Sequence, residues 1–231
     1  QHLQAILTAL APQAPLGVIV AASCVAVLRL PILSIASLVA TCAFLAAVLS
    51  TGEGGLDAGM TMLVAAGAAG LVLLLSREPL WRRPPLRRRT TTVRPASADI
   101  PGQSLAFRLA AALVVALAVE ALAPLSPLPL GPQETRLGLW LVGMGSVAAL
   151  SGGSTIVSGT GYITALSAAS LAVPDVVTDP VMHPLTFAVI ASLIIVAALG
   201  FSFAGGKRIR STATAEATRA TAHSDYPSPG A

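Results

Sequence analysis

Most charge in this chain lies in the intervals between long apolar runs, and each charged interval carries mainly one sign. The densest cluster is Arg77, Arg82, Arg83, Arg87, Arg88, Arg89 and Arg94. Lys207, Arg208 and Arg210 follow the last apolar run, and Arg29 stands alone between the first two. The other intervals carry acids: Glu53 and Asp57, then Glu134, then Asp175 and Asp179, with Arg136 the exception. Cationic segments stay on the cytoplasmic side during insertion. The pattern therefore predicts an all-α integral membrane protein, a bundle of about seven transmembrane helices, with the N-terminus outside and the C-terminus cytoplasmic. Arg77, Arg82, Arg83, Arg87, Arg88, Arg89, Lys207, Arg208 and Arg210 are the expected topology determinants.

Composition supports a lipid environment. The chain is 55% hydrophobic and 10% charged, with a mean hydropathy of +0.80. A soluble domain of ordinary composition carries about 25% charged residues, so this chain has too few charges to coat itself in water. The formal charge of +4 lies beside apolar runs, as membrane topology requires, and no nucleic-acid partner is expected. The expected partners are the lipid bilayer and other integral membrane subunits. Cys24 and Cys42 fall inside apolar runs, read most simply as small apolar residues. Their number and spacing suit neither an iron–sulfur cluster nor a metal site, and no cofactor or metal is expected.

A spanning helix needs about 20 apolar residues. Residues 16–49 are too long for one helix, and Arg29 with Pro31 marks a hairpin turn within them. Ala58–Leu75 is the third span, closing a three-helix unit over 1–76. Residues 77–104 form a basic, proline-rich cytoplasmic linker, with Pro79, Pro84, Pro85 and Pro95, unable to bury a core. A four-helix unit follows over 105–206. Leu105–Leu125 is its first helix, and the Ser151-Gly152-Gly153-Ser154 turn splits the next long run into two. Two crossings there also return the tail to the cytoplasmic side. Residues 207–231, rich in Ala, Thr and Ser beyond Arg210, are expected to be a disordered cytoplasmic tail. Leu16-Gly17 and Leu137-Gly138 open the two three-helix groups, a faint echo of a parallel repeat.

Ionisable groups inside a membrane are costly and are functional candidates by default. Glu120, well along the fourth span, is the proton-relay candidate, weighed against an acid at the outer interface. Arg108 is expected to snorkel to the cytoplasmic interface. His183, before the last span, is read as a loop residue. No catalytic acid, base or nucleophile is assembled, so no catalytic residue is assigned and no catalytic site is expected. Thr155, Ser158, Thr160, Tyr162 and Thr164 form the one polar cluster within a span. Gly161, Ala165 and Ala169 recur at every fourth position, as do Ala66 and Gly70. Such stripes let helix backbones approach closely in lipid and are the expected helix-packing residues.

With this layout, the chain resembles the small membrane subunits of the complex I and hydrogenase superfamily. These are the K-type subunit of complex I, the C-type subunit of multisubunit cation/proton antiporters and the E-type subunit of hydrogenase-4. The likeness to the E-type subunit is one of layout over the whole chain: three helices, a loop and connecting helix, then a three-helix unit. The local likeness is Asp179-Pro180 followed by Leu185 and Ile190. The resemblance implies a membrane subunit of a proton-translocating assembly in a plasma membrane, the inner membrane of a bacterial cell. K-type subunits carry a buried glutamate on the middle helix of the three, whereas Gly159–Val173 here has no acid, base or histidine. The expected function is therefore a non-catalytic or weakly proton-conducting subunit, mainly structural. A self-contained transporter or channel for a small solute or ion is the alternative.

Overall fold

The computed structural model describes residues 11–28, 30–51, 55–76, 105–127, 130–151, 154–177, 179 and 182–224, with side chains as far as Ala204. Among these residues every regular element is helical. Proline sets several of the starts, because its fixed φ suits the first turn and its missing N–H costs nothing there. α1 (Ala14–Val27) carries Pro15 in its first turn. α2 (Pro31–Thr51) and α5 (Pro132–Ser151) begin on proline. α3 (Gly55–Leu75) begins on Gly55, whose φ of 67° a residue with a β-carbon rarely adopts. α4 (Leu105–Leu122) runs on into a short 3-10 turn, Ala123–Leu125. α6 (Thr155–Ser167) is capped by Ser154, whose hydroxyl accepts from Val157 N at 3.3 Å. It continues almost directly into α7 (Ala169–Val176), and α8 (Met182–Ser224) follows.

Among the described residues, five segments are long and apolar enough to cross a membrane: α2, α3, α4 with its 3-10 turn, α6 with α7, and Met182–Ala204 of α8. α1, at 14 residues, spans only about 21 Å, short of a hydrocarbon core of about 30 Å. α5 has the length, but its first turns carry Glu134 and Arg136. The hairpins expected at Pro31 and around Ser151–Ser154 both occur.

The helices stack as two layers. α1, α2 and α3 lie in one row, and α5, α6–α7 and α8 in the other, each adjacent pair antiparallel. Helices of equal rank face each other across the layers: α1 on α5, α2 on α6 and α3 on α8. These facing pairs are parallel and level. Trp140 Nε1 donates to Ile19 O at 3.2 Å between α5 and α1, and Ser34 and Thr160 meet near the starts of α2 and α6. α4 packs on the outer side of α5 and α1, and only 11% of its span is buried, against 61% of the α6–α7 span. The core lies between the layers, with Leu38, Leu45, Met62, Leu141, Met144, Ile163 and Ile194 all buried.

Three sequence expectations differ from this arrangement. Leu16 is 67% exposed and Leu137 only 2%, so the echoing Leu-Gly pairs occupy unlike surroundings although their helices are neighbours. Facing layers turn the buried sides of equal-rank helices toward one another, and a repeated side-chain pattern would not serve that. The tail expected to be disordered from 207 is helical as far as Ser224. Its many alanines favour helix, and a span already formed removes the nucleation cost of extending it. Arg108, expected at the interface, is 1% exposed and sits inside the bundle.

Candidate functional site

The polar interior of the molecule lies where α2 meets α6. Ser34, Thr41, Thr160, Thr164, Ser167 and Ser170 are all 0% exposed. Ser34 and Thr41 lie two helical turns apart, as do Thr160 and Ser167, so each pair shares one face of its helix. The Ser34 and Thr160 hydroxyls hydrogen-bond at 2.6 Å across the layers. Farther along the seam the Cys42 thiol lies beside the Ser167 hydroxyl. The other five hydroxyls also turn back on a carbonyl of the helices. Thr41 donates to Ser37 O, Thr160 to Val157 O and Thr164 to Thr160 O, each at 2.8 Å.

Between α6 and α7 the main-chain ladder shortens. Ala168 N bonds Ala165 O at 3.3 Å and Leu171 N bonds Ala168 O at 3.1 Å, the i to i−3 pattern of a 3-10 turn. The carbonyls of Thr164 and Ser167 thereby lose their α-helical partners. The Ser167 hydroxyl donates to Thr164 O at 2.8 Å and the Ser170 hydroxyl to Ser167 O at 2.7 Å. In a setting without water, these bonds substitute for the missing N–H groups. Pro174 inside α7 adds another interruption, having no N–H to offer Ser170 O.

The polar cluster read from the sequence is divided by this geometry. Thr160 and Thr164 face the seam, Thr155 and Ser158 are half-buried, and Tyr162 is exposed. The Tyr162 ring lies 5.8 Å from that of Phe201 on α8. Ser34, Thr41, Ser167 and Ser170 escaped the sequence reading, and Cys42 was read only as a small apolar residue. Their helical spacing was the available signal, but serine and threonine are common in membrane helices for packing alone.

Gly161 lies at the closest approach of α6 to α5. A β-carbon on Gly161 would meet Gly145 O at 2.6 Å and crowd the backbone of Ala149. One on Gly145 would lie 2.6 Å from both Gly161 O and Ala165 N. Ala165 belongs to this contact, whereas Ala169, beyond the turn at Ala168, is exposed. Ala66 and Gly70 are buried on α3, and Gly70 faces Val39 and Ile35 of α2. Gly59, unmarked in the sequence, faces Ala46 O of α2 at a would-be 2.6 Å.

Glu120 is exposed at the far end of α4 and forms an ion pair with Arg136 at 3.4 Å. Arg136, the one base among the acidic intervals, thus stands beside an acid that the α4–α5 hairpin brings to it. Arg108, at the opposite end of α4, donates from Nη2 to Ser151 O at 2.6 Å. That carbonyl lies at the last turn of α5, where helix carbonyls lack main-chain partners and the helix dipole favours a cation. His183 opens α8, with its ring edge-on to Phe187 at 6.5 Å. Among the described residues, no three His, Cys, Asp or Glu side chains gather to hold a metal ion. Arg77, Arg82, Arg83, Arg87, Arg88 and Arg89 lie outside the described residues, as do the side chains of Lys207, Arg208 and Arg210. No family model, curated protein or solved structure matches this chain.

Proposed function

We propose that this chain is a mainly structural integral membrane subunit of a larger assembly, non-catalytic and at most weakly proton-conducting. The observation that carries the reading is the placement of titratable groups. Asp57, Glu120, Asp175 and Asp179 are exposed, and Glu134 is half-buried on the first turn of α5. A proton path through the bundle needs carboxylates or histidines within it, and the hydroxyls of the α2–α6 seam are already bonded to carbonyls or to one another. The broad apolar flank of α4, with Leu109, Leu113, Val114 and Leu117 exposed, offers surface to lipid or to neighbouring spans. The layout shared with the small subunits of the complex I and hydrogenase superfamily fits the same role, and the charge pattern sets the acidic ends outside.

Purification in a mild detergent tests it. Other integral membrane polypeptides are expected to copurify in fixed proportion. A stable lone protein that moves a small solute or ion across reconstituted vesicles would overturn the reading in favour of a self-contained transporter. One observation supports that second reading: the interrupted α6–α7 span, since broken helices line the binding sites of many transporters.

A further inference from the structure

We propose that the outer groove between α6 and α8 holds one acyl chain of an anionic phospholipid, with the phosphate at the cationic turn of Lys207 and Arg208. The groove measures about 360 Å³, within the range of about 300–1,000 Å³ found for clefts that take small molecules. Tyr162 and Leu166 of α6 form one wall, and Leu193, Ala197, Gly200 and Phe201 of α8 the other. Its shape follows from a missing side chain. A β-carbon on Gly200 would have nothing within 4 Å. Phe201, the next residue, is seated on Gly159, where a β-carbon would lie 2.9 Å from the ring. The Phe201 ring stands 5.8 Å from that of Tyr162. An aromatic pair beside a gap left by glycine makes an apolar slot that faces the lipid.

Length and charge name the occupant. The lining from Leu193 to Ala204 runs about 17 Å along α8, near half of a hydrocarbon core of about 30 Å. That is the depth of one leaflet and the reach of one acyl chain, whereas a neighbouring transmembrane helix would run the full thickness. Leu193, Ala197, Gly200 and Ala204 are three or four residues apart and form one stripe of the helix. Lys207 and Arg208 continue that spacing, and α8 remains helical through them. Asp57, Glu120, Glu134, Asp175 and Asp179 lie at the other end of the bundle. Cationic sites between spans attract anionic lipid headgroups. A slot one leaflet deep that leads to two cations suits an anionic phospholipid, for a lone chain and for a subunit alike.

Native mass spectrometry of the protein in a neutral detergent, titrated with dioleoyl phosphatidylglycerol or dioleoyl phosphatidylcholine, tests the site. One phosphatidylglycerol per chain is expected to be held about 30-fold more tightly than phosphatidylcholine, the factor that two cations near a headgroup supply. Lys207→Gln combined with Arg208→Gln should remove that preference. Gly200→Leu fills the groove from a position where its β-carbon meets no neighbour, so it should unfold no more easily than the parent. It should nevertheless weaken retention of phosphatidylglycerol by about fivefold or more, because the added side chain must be displaced before an acyl chain can enter. Equal retention of the two lipids, or a preference that survives loss of both cations, would overturn the proposal. A folded Gly200→Leu variant that holds phosphatidylglycerol as tightly as its parent would do the same, since charge alone would then hold the lipid.

Discussion

Arg108 and Glu120 sit at opposite ends of one helix, Arg108 buried and Glu120 exposed. Glu120, the acid expected to matter most, is an exposed partner of Arg136, and exposed pairs contribute about 0–1 kcal/mol. Glu120→Gln should therefore leave the unfolding midpoint in detergent, the assembly and any coupled proton pumping nearly unchanged. Pumping abolished in a fully assembled Glu120→Gln complex would make that carboxyl a relay instead. Arg108 is the buried one, and its bond to Ser151 O joins α4 to the end of α5. Arg108→Met keeps much of the apolar stem but leaves the carbonyl without that donor. It should cost about 1.5–3 kcal/mol, the range for a hydrogen bond to a charged group, read from denaturant unfolding in micelles. A midpoint as little changed as that of Glu120→Gln would mean the carbonyl finds another partner. An interfacial Glu120 was one of the two readings its position allowed; the burial of Arg108 was not legible, because it depends on how α4 rotates against α5, and an almost uniformly apolar helix carries no amphipathic stripe to reveal its rotation.

At the scale of the element, the sequence disclosed boundaries better than partners. Pro31 and Ser151–Ser154 marked their turns because proline and capping serine act locally. The Gly161 and Ala165 spacing pointed to a close helix contact, and its other half on α5, Gly145 and Ala149, carries the same four-residue spacing of small residues, which went unmarked. Within lipid no hydrophobic drive holds helices together, so backbone proximity at such points carries much of the association. Gly161→Leu would push a side chain into the α5 backbone, which cannot yield as a flexible side chain can. We expect loss of the folded bundle in size-exclusion profiles and in thermal unfolding. Gly67→Ala is the counterpart, since nothing lies within 4 Å of its would-be β-carbon. It should stabilise α3 by about 0.4–1 kcal/mol by removing freedom from the unfolded chain. If Gly161→Leu unfolds no more easily than Gly67→Ala, the α5–α6 contact does not hold the bundle.

Across the whole molecule, charge segregation was legible and layering was not. The number of helical segments followed from run lengths and turn residues. The pairing of α1 with α5, α2 with α6 and α3 with α8 depends on side-chain shapes that hydropathy does not encode. The two levels now constrain each other. Antiparallel neighbours and level, parallel partners bring Asp57, Glu120, Glu134, Asp175 and Asp179 to one end of the bundle, and Arg108 to the other. Helix α8 leaves the bundle at that second end, toward Lys207, Arg208 and Arg210. An end bearing the acids and an end bearing the bases is the division that insertion produces when cationic segments are retained. The remaining question is which end faces the cytoplasm, and impermeant thiol reagents answer it. In a Cys24→Ala, Cys42→Ala background, single cysteines replacing Arg88 or Arg210 should resist labelling in intact cells and react once the membrane is permeabilised. A cysteine replacing Asp175, itself exposed near the end of α7, should react in both states. Equal labelling of the Arg88 and Asp175 positions in intact cells would reject the topology. Labelling of Arg88 and Arg210 with protection of Asp175 would invert it, and the acidic end would then be the one that meets the cytoplasm.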